Sequence, residues 1–424
     1  MENAKGQQLP SGNFHKLSHP LLFFFFYIPF GIFSGYLTVT LAFQFSRSGI
    51  SLQQIAGLAA VNLLPQVFKF TWAPLVDVTL SLKKWYLLAT LITASTIFAT
   101  GIVPINSANL LLFTFMILIS SFSRSFISAA IGGLAAHGTS PLLKGQVGGY
   151  CQAGNLGGGA IGGGAGLWLA QHTADRWIPG AVLALVCVLC CAGLLFIKEP
   201  VSTIRVRGAR KTINNLLNDI WSTLKTSRGL LALILNILPL GTGAAGFLFA
   251  AFARDWRSGA DTVALVTGGL GGLAIISGCL IGGRICDRVD RQKAFVLFSL
   301  LQAVCCVFMA FCPHVPLMYI IWTLAYALVN GFVNAAYSSF TLEATGRGAA
   351  ASKFELYSSM SYLPLYLMFW ISGLAYVKWG AFGMLNTEAI IAVIAATLFI
   401  GVKIIIKKRV STPEDVNAIY IETL

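Results

Sequence analysis

Residues 21–45, LLFFFFYIPFGIFSGYLTVTLAFQF, run for 25 positions without one charged side chain. A helix needs about 20 apolar residues to cross the hydrocarbon core of a bilayer, so this stretch suffices with some margin. It is too long for the core of a cleavable signal, and no small-residue cleavage site follows it. The rest of the chain repeats the pattern. Of 424 residues, 56% are apolar and 10% charged, against roughly a quarter charged in a soluble domain. The mean hydropathy is +0.77. Water cannot disperse so much apolar surface, so a soluble enzyme is excluded. The net charge of +14 then reflects membrane topology rather than nucleic-acid binding.

Apolar runs broken by Gly, Pro or charge predict twelve transmembrane helices, near 19–46, 52–77, 85–104, 108–136, 144–171, 178–197, 228–254, 261–286, 293–312, 315–341, 352–377 and 384–406. The fold class is an all-α membrane protein. Its expected domains are an N-terminal six-helix bundle over 1–197, a cytoplasmic linker over 198–227 and a C-terminal six-helix bundle over 228–424. Residues 213–224 of the linker read as a short amphipathic helix with Trp221 at the headgroups. With the N-terminus inside, 22 of the 29 basic residues lie in inner loops and five in outer ones, which places both termini in the cytoplasm. The nine cysteines fall in apolar stretches and read as packing residues. No metal-ligand spacing is present, and no metal or other cofactor is expected.

An internal repeat accompanies these spans. An offset of 210 lays Pro29-Phe30-Gly31 on Pro239-Leu240-Gly241, Arg47-Ser48-Gly49 on Arg257-Ser258-Gly259, Asp77 on Asp287 and Lys83 on Lys293. An offset of 206 lays residues 125–130 on 331–336. Six spans is an even number, so the two repeats are parallel, related by an axis along the membrane normal.

The stretch Gly283-Arg284-Ile285-Cys286-Asp287-Arg288-Val289-Asp290-Arg291 resembles the loop signature of the major facilitator family, with Asp290 where that pattern has Gly. Lys69-Phe70-Thr71-Trp72-Ala73-Pro74-Leu75-Val76-Asp77 is similar to a sequence of the muropeptide-permease and acetyl-CoA-transporter branch. The resemblance implies a monomeric secondary carrier of the bacterial inner membrane that works by alternating access. Its expected partners are the lipid bilayer and a bulky, muropeptide-like anionic small molecule, imported with protons; no nucleic-acid partner is expected. Muropeptide permeases usually have two further spans. Siderophore importers of related sequence are closer in length, so a siderophore is the alternative cargo.

Ionisable residues inside spans are functional candidates because a charge at mid-bilayer is unfavourable by about 2.5–3.5 kcal/mol. Arg124 sits among serines near the centre of span 4, and Lys69 two turns before Asp77. Both suit an anion, the arginine bidentately; Lys69 could instead snorkel to the interface or to Asp77. Gln66, Asn62, Gln152, Asn155, Asn330, Asn334, Tyr337 and Tyr357 supply neutral polar groups for the substrate, or else hold helices together. Glu355 is the candidate for proton coupling, with a local pairing to Lys353 as the alternative. Asp77, Asp287, Arg288 and Arg291 are expected at a cytoplasmic gate. Asp287 ends a helix and so needs a basic partner or a neighbouring helix N-terminus.

Residues 145–166 contain eleven glycines. No strand precedes them, so they read as a surface on which span 5 rocks against the other half, not as a phosphate loop. Pro29, Pro65, Pro239 and Pro364 are expected to bend their helices. A membrane enzyme would need a nucleophile–base or metal constellation, and a sensor an appended soluble domain. Neither feature is present in the sequence, so the chain is not expected to be an enzyme.

Overall fold

The computed structural model describes residues 19–199 and 209–410. The termini, 1–18 and 411–424, and linker residues 200–208 lie outside the described residues, and with them the expected cytoplasmic placement of both chain ends. All regular structure among the described residues is helical.

The first half comprises α1 (Leu22–Arg47), α2 (Leu52–Phe68), the short α3 (Pro74–Val78), α4 (Leu82–Ile102), α5 (Ser107–Gly138), α6 (Lys144–Ala160), α7 (Gly166–His172) and α8 (Trp177–Leu195). Helix α9 (Ala209–Lys225) links it to α10 (Ser227–Ile237), α11 (Phe249–Phe252), α12 (Asp261–Cys286), α13 (Arg291–Phe311), α14 (Pro316–Thr345), α15 (Ala350–Met360) and α16 (Tyr362–Val410). Local sequence sets several starts. Ser51 and Gln54 form a capping box on α2, while Ser81, Thr226 and Asp290 accept from the third backbone N–H of α4, α10 and α13.

Eight helical stretches are long and apolar enough to cross a membrane: α1, α4, α5, α8, α12, α13, α14 and the run Ala350–Ile406. The last covers two expected spans and is broken at Gly380, whose φ of 64° no other part of the helix shares. The expected spans at 52–77, 144–171 and 228–254 are helical but interrupted. A 3₁₀ turn at Lys69–Thr71, a π-helical turn at Ile161–Ala165 and a non-helical break over 238–243 divide them. Pro239 lies in that break. Pro29, Pro65 and Pro364 remain inside their helices.

The glycine-rich α6 and the π-helical turn Ile161–Ala165 that continues it present two working faces. Gly154, Gly158 and Gly162 lie on the backbone carbonyls of Phe24, Ile28 and Ile32 in α1. A Cβ on Gly162 would come within 2.0 Å of the Ile32 oxygen, so only glycine allows that approach. This face packs within the first half, where the expected role lay wholly between halves. The other face, with Gly145, Gly148 and Gly149, meets Asp287, Ser339 and Cys279 of the second half. Apolar packing continues across the same seam, where the Phe354 ring of α15 covers Gly132 of α5. Linker helix α9 covers the expected 213–224, exposes Ile213, Leu217 and Trp221, and is tethered by Asp219 to Lys353 (2.9 Å) and to the Ala349 N–H (2.8 Å).

Candidate functional site

Serines at 120, 121, 123 and 125 give α5 a polar stretch, and Arg124 stands within it, 3% exposed. Its Nη1 donates to Asn62 Oδ1 at 3.2 Å, and its guanidinium lies 4.2 Å from the Phe30 ring centre and 5.4 Å from that of Phe33. Arg124 Nε has no hydrogen-bond partner, and no carboxylate pairs with the group among the described residues. Two aromatic rings lie against the guanidinium while part of its donor set stays unused.

Lys69 opens the 3₁₀ turn after α2, 1% exposed. Its ammonium is buried and does not pair with Asp77. It pairs at 2.6 Å with Glu355 on α15 in the other half and donates to Ser358 Oγ at 2.7 Å. Glu355 is fully buried and its Oε1 accepts no hydrogen bond. Lys353, the alternative partner for Glu355, pairs with Asp219 instead. The positive wall expected from Lys69 and Arg124 together is therefore half neutralised, and Arg124 carries the unpaired charge. The Lys69 ammonium also lies 5.5 Å from the Tyr362 ring centre.

The carboxamides divide into three sets. Gln66 donates to the Ser121 carbonyl at 2.9 Å and leaves its Oε1 unpartnered beside the Arg124–Asn62 pair. Gln152 accepts from Asn155 at 3.3 Å on α6. In the second half Asn334 donates to Asn330 Oδ1 at 2.6 Å, and Tyr337 shares a 3.1 Å bond with Ser361. Asn334, Tyr337 and Ser361 line a cavity of about 120 Å³ at the 238–243 break, together with Asn236, whose Oδ1 has no partner. Tyr357 is not brought to this group: it is fully buried, with its hydroxyl on the Gly229 carbonyl. A larger cavity of about 400 Å³ lies between α2, α4 and α5 around Trp85, Phe122 and Phe126. Its lining contains no charged side chain, so it offers an anion nothing.

Asp77 and Asp287 each cap a helix of the opposite half. Asp77 accepts from the Ala351 and Ser352 N–H groups (3.3 and 2.8 Å) and from Ser352 Oγ at 2.6 Å, at the start of α15. Asp287 accepts from the Gly145 and Gln146 N–H groups (2.6 and 3.1 Å), at the start of α6. The neighbouring helix N-terminus required for Asp287 is thus present, and Arg291 adds a basic partner at 3.5 Å. Arg291 also bonds Glu343 (3.2 Å) and the Pro141 carbonyl (2.8 Å). Arg288 is exposed and joins no ion pair among the described residues.

Sequence reasoning missed Ser358, Tyr362, Asn236 and Glu388. The first three carry no signal beyond a polar atom in a span. Glu388 does: it is an ionisable residue inside 384–406, and the rule that selected Lys69 and Arg124 applies equally to it.

The structure is an all-helical bundle with eight stretches long and apolar enough to cross a membrane and a buried ion pair between its halves. The family model of the Major Facilitator Superfamily matches residues 21–367, and the chain belongs to that superfamily of transporters. Over 148 residues it is 29% identical to the anhydromuropeptide permease of Escherichia coli, an alignment covering 34% of this chain and 29% of that protein's length. It is 24% identical over 291 residues to a Rickettsia conorii protein bearing the transporter name AmpG 4, covering 64% and 70% of the two chains. Among solved structures it superposes on the human organic anion transporter MFSD10 (TETRAN) with a TM-score of 0.63 and 14% identity, over 89% of this chain and 98% of that one. The proton:xylose symporter XylE, bound to 6-bromo-6-deoxy-D-glucose, gives a TM-score of 0.67 at 12% identity, over 89% and 93%. These two likenesses establish the major facilitator fold.

Proposed function

We propose that this transporter imports a bulky anionic organic solute, muropeptide-like in character, with protons and by alternating access. In this reading it is a monomer of the bacterial inner membrane, with twelve spans in two parallel six-helix repeats and both termini in the cytoplasm. The observation that carries the anionic substrate is Arg124: a buried guanidinium against the Phe30 and Phe33 rings, with its Nε unused and no carboxylate paired to it among the described residues. A carboxylate or phosphate would complete its bonding. The partial likeness to the anhydromuropeptide permease and to AmpG 4 favours a cell-wall fragment as cargo.

Glu355 supports proton coupling. Its ion-pair partner among the described residues, Lys69, lies in the other half, so a proton on Glu355 would weaken a link across the seam that alternating access must break. The Asp77 and Asp287 caps support the gate and the repeat. They exchange partners between halves, and the capped residues 145–146 and 351–352 stand at the offset of 206 found in the sequence.

The test is uptake into energised proteoliposomes of anhydro-muropeptides, siderophores and coenzyme A esters. Arg124→Ala should lower uptake of one anion roughly 10–100-fold, the value of charge-assisted hydrogen bonds. Collapse of the proton gradient, or Glu355→Gln, should abolish its accumulation. Uptake indifferent to Arg124→Ala would remove that residue from the site, and accumulation of siderophores alone would replace the cargo.

A further inference from the structure

Glu388 is the buried carboxylate that the substrate site does not use. It lies on α16 beyond Gly380, 6% exposed, and no lysine, arginine or histidine pairs with it among the described residues. Both oxygens are held by hydrogen bonds. Oε1 accepts from the Tyr326 hydroxyl at 2.6 Å, and Oε2 accepts from the Ala245 N–H at 2.6 Å. Ala245 follows the break at 238–243, in which Gly241 and Gly243 have φ of 59° and 70°. The chain between α10 and α11 is therefore tied to α16 by this carboxylate, beside the apolar packing of Ala245 and Phe249 on Met384, Leu385 and Ala389.

The surroundings are polar and incomplete. Gln302 of α13 is 2% exposed and adjoins the Tyr326 hydroxyl, yet neither of its carboxamide atoms has a hydrogen-bond partner. A Cβ on Gly243 would lie 2.2 Å from Asn330 Nδ2 and 3.7 Å from Gln302 Nε2. Asn330 in turn accepts from Asn334, which lines the 120 Å³ cavity with Gly241 and Thr242. The titratable groups facing Glu388 are the Tyr326 hydroxyl on α14 and the Cys306 thiol on α13. Residues 244–252 contribute none, and the flanking turn of α16 offers Met384, Leu385, Ala389 and Ala392.

We propose that Glu388 is a proton-binding site that latches the break in the chain after α10, so that its charge state sets the shape of the cavity wall at Gly241 and Thr242. The proton adds to Oε1. The acid proton is then donated to the Tyr326 oxygen, and the tyrosine's own hydrogen turns away from Oε1 toward the adjoining Gln302 side chain. Oε2 becomes a neutral carbonyl oxygen. Charge-assisted hydrogen bonds are roughly twice as strong as neutral ones, so the hold on the Ala245 N–H weakens and the break loosens. The inference needs only that the folded chain sits in a bilayer. It does not depend on the cargo.

The experiment uses the full-length protein in lipid nanodiscs with a reporter cysteine, Thr242→Cys. Its alkylation by a maleimide is followed against pH by mass spectrometry of the peptide carrying residue 242. Glu388→Gln fixes the neutral form in the same background, and the ratio of the two rates cancels the pH dependence of thiol chemistry. At high pH the Glu388 protein should label several-fold more slowly than the Glu388→Gln variant, and the rates should converge as pH falls. Tyr326→Phe removes one bond to the carboxylate and should raise the midpoint by about one pH unit; it decides the matter alone if Glu388→Gln does not fold. A rate ratio constant with pH, or a midpoint unmoved by Tyr326→Phe, would overturn the proposal. Either result leaves the substrate reading intact, because no solute is moved.

Discussion

Lys69 and Glu355 meet at 2.6 Å where neither reaches water. Removing two such charges from solvent is unfavourable by several kcal/mol each, and their attraction offsets this only when the remaining valences are filled. Ser358 fills one on the lysine, whereas Glu355 Oε1 has none. Removing one partner should therefore be far worse than removing both. Glu355→Ala is expected to destabilise the protein by about 3–5 kcal/mol, and Lys69→Met/Glu355→Met to recover most of that loss, as read from unfolding in nanodiscs. A double variant no more stable than the single one would mean the pair is a stabilising element rather than a breakable one. The two cations were legible in the sequence because a charge inside an apolar run stands out. Their partners were not. Lys353 is the nearest base to Glu355 in the sequence, but residues two apart on a helix point to different sides, and the partner comes from the other half of the chain.

Helix α6 and its π-helical turn show how position along an element decides what a glycine does. A Cβ on Gly162 would come within 2.0 Å of the Ile32 carbonyl oxygen, whereas one on Gly164, two residues on, would meet nothing within 4 Å. Gly162→Ala must push α1 and the π-helical turn after α6 apart and should lose about 1–3 kcal/mol of stability. Gly164→Ala should leave stability unchanged or raise it by up to about 1 kcal/mol, since alanine restricts the unfolded chain. Equal melting temperatures for the two variants would contradict the backbone contact between α1 and that turn. The sequence announced that α6 packs closely but not upon what, because eleven glycines between 145 and 166 leave no side-chain pattern to distinguish one face from another. Interrupted spans were equally hidden. Hydropathy averages over the 238–243 break, and only Pro239 and the two glycines of positive φ mark it.

Across the whole molecule, two carboxylates close one seam from opposite sides. Asp77 of the first half holds the start of α15 in the second, and Asp287 of the second holds the start of α6 in the first. Lys144 stands between the caps: its ammonium bonds the Leu342 carbonyl at 2.9 Å and lies in the field of Arg291, Glu343 and Lys353, so the caps belong to one polar layer. If the halves separate here as rigid bodies, opening must break both caps at once, and each contributes its full free energy to a single equilibrium. Losing a cap is worth about 1 kcal/mol. Asp77→Ala and Asp287→Ala should then each raise the open-to-closed ratio about 5-fold, and the double variant about 30-fold. Spin labels at the exposed Leu142 and Val289, one in each half at this end, report the ratio in bilayers through the share of long inter-label distances. Local fraying gives a different pattern, because each cap would release only its own helix start and the second substitution would add nothing to the long-distance population. The excess of the double variant over either single one therefore measures whether the two halves move as units.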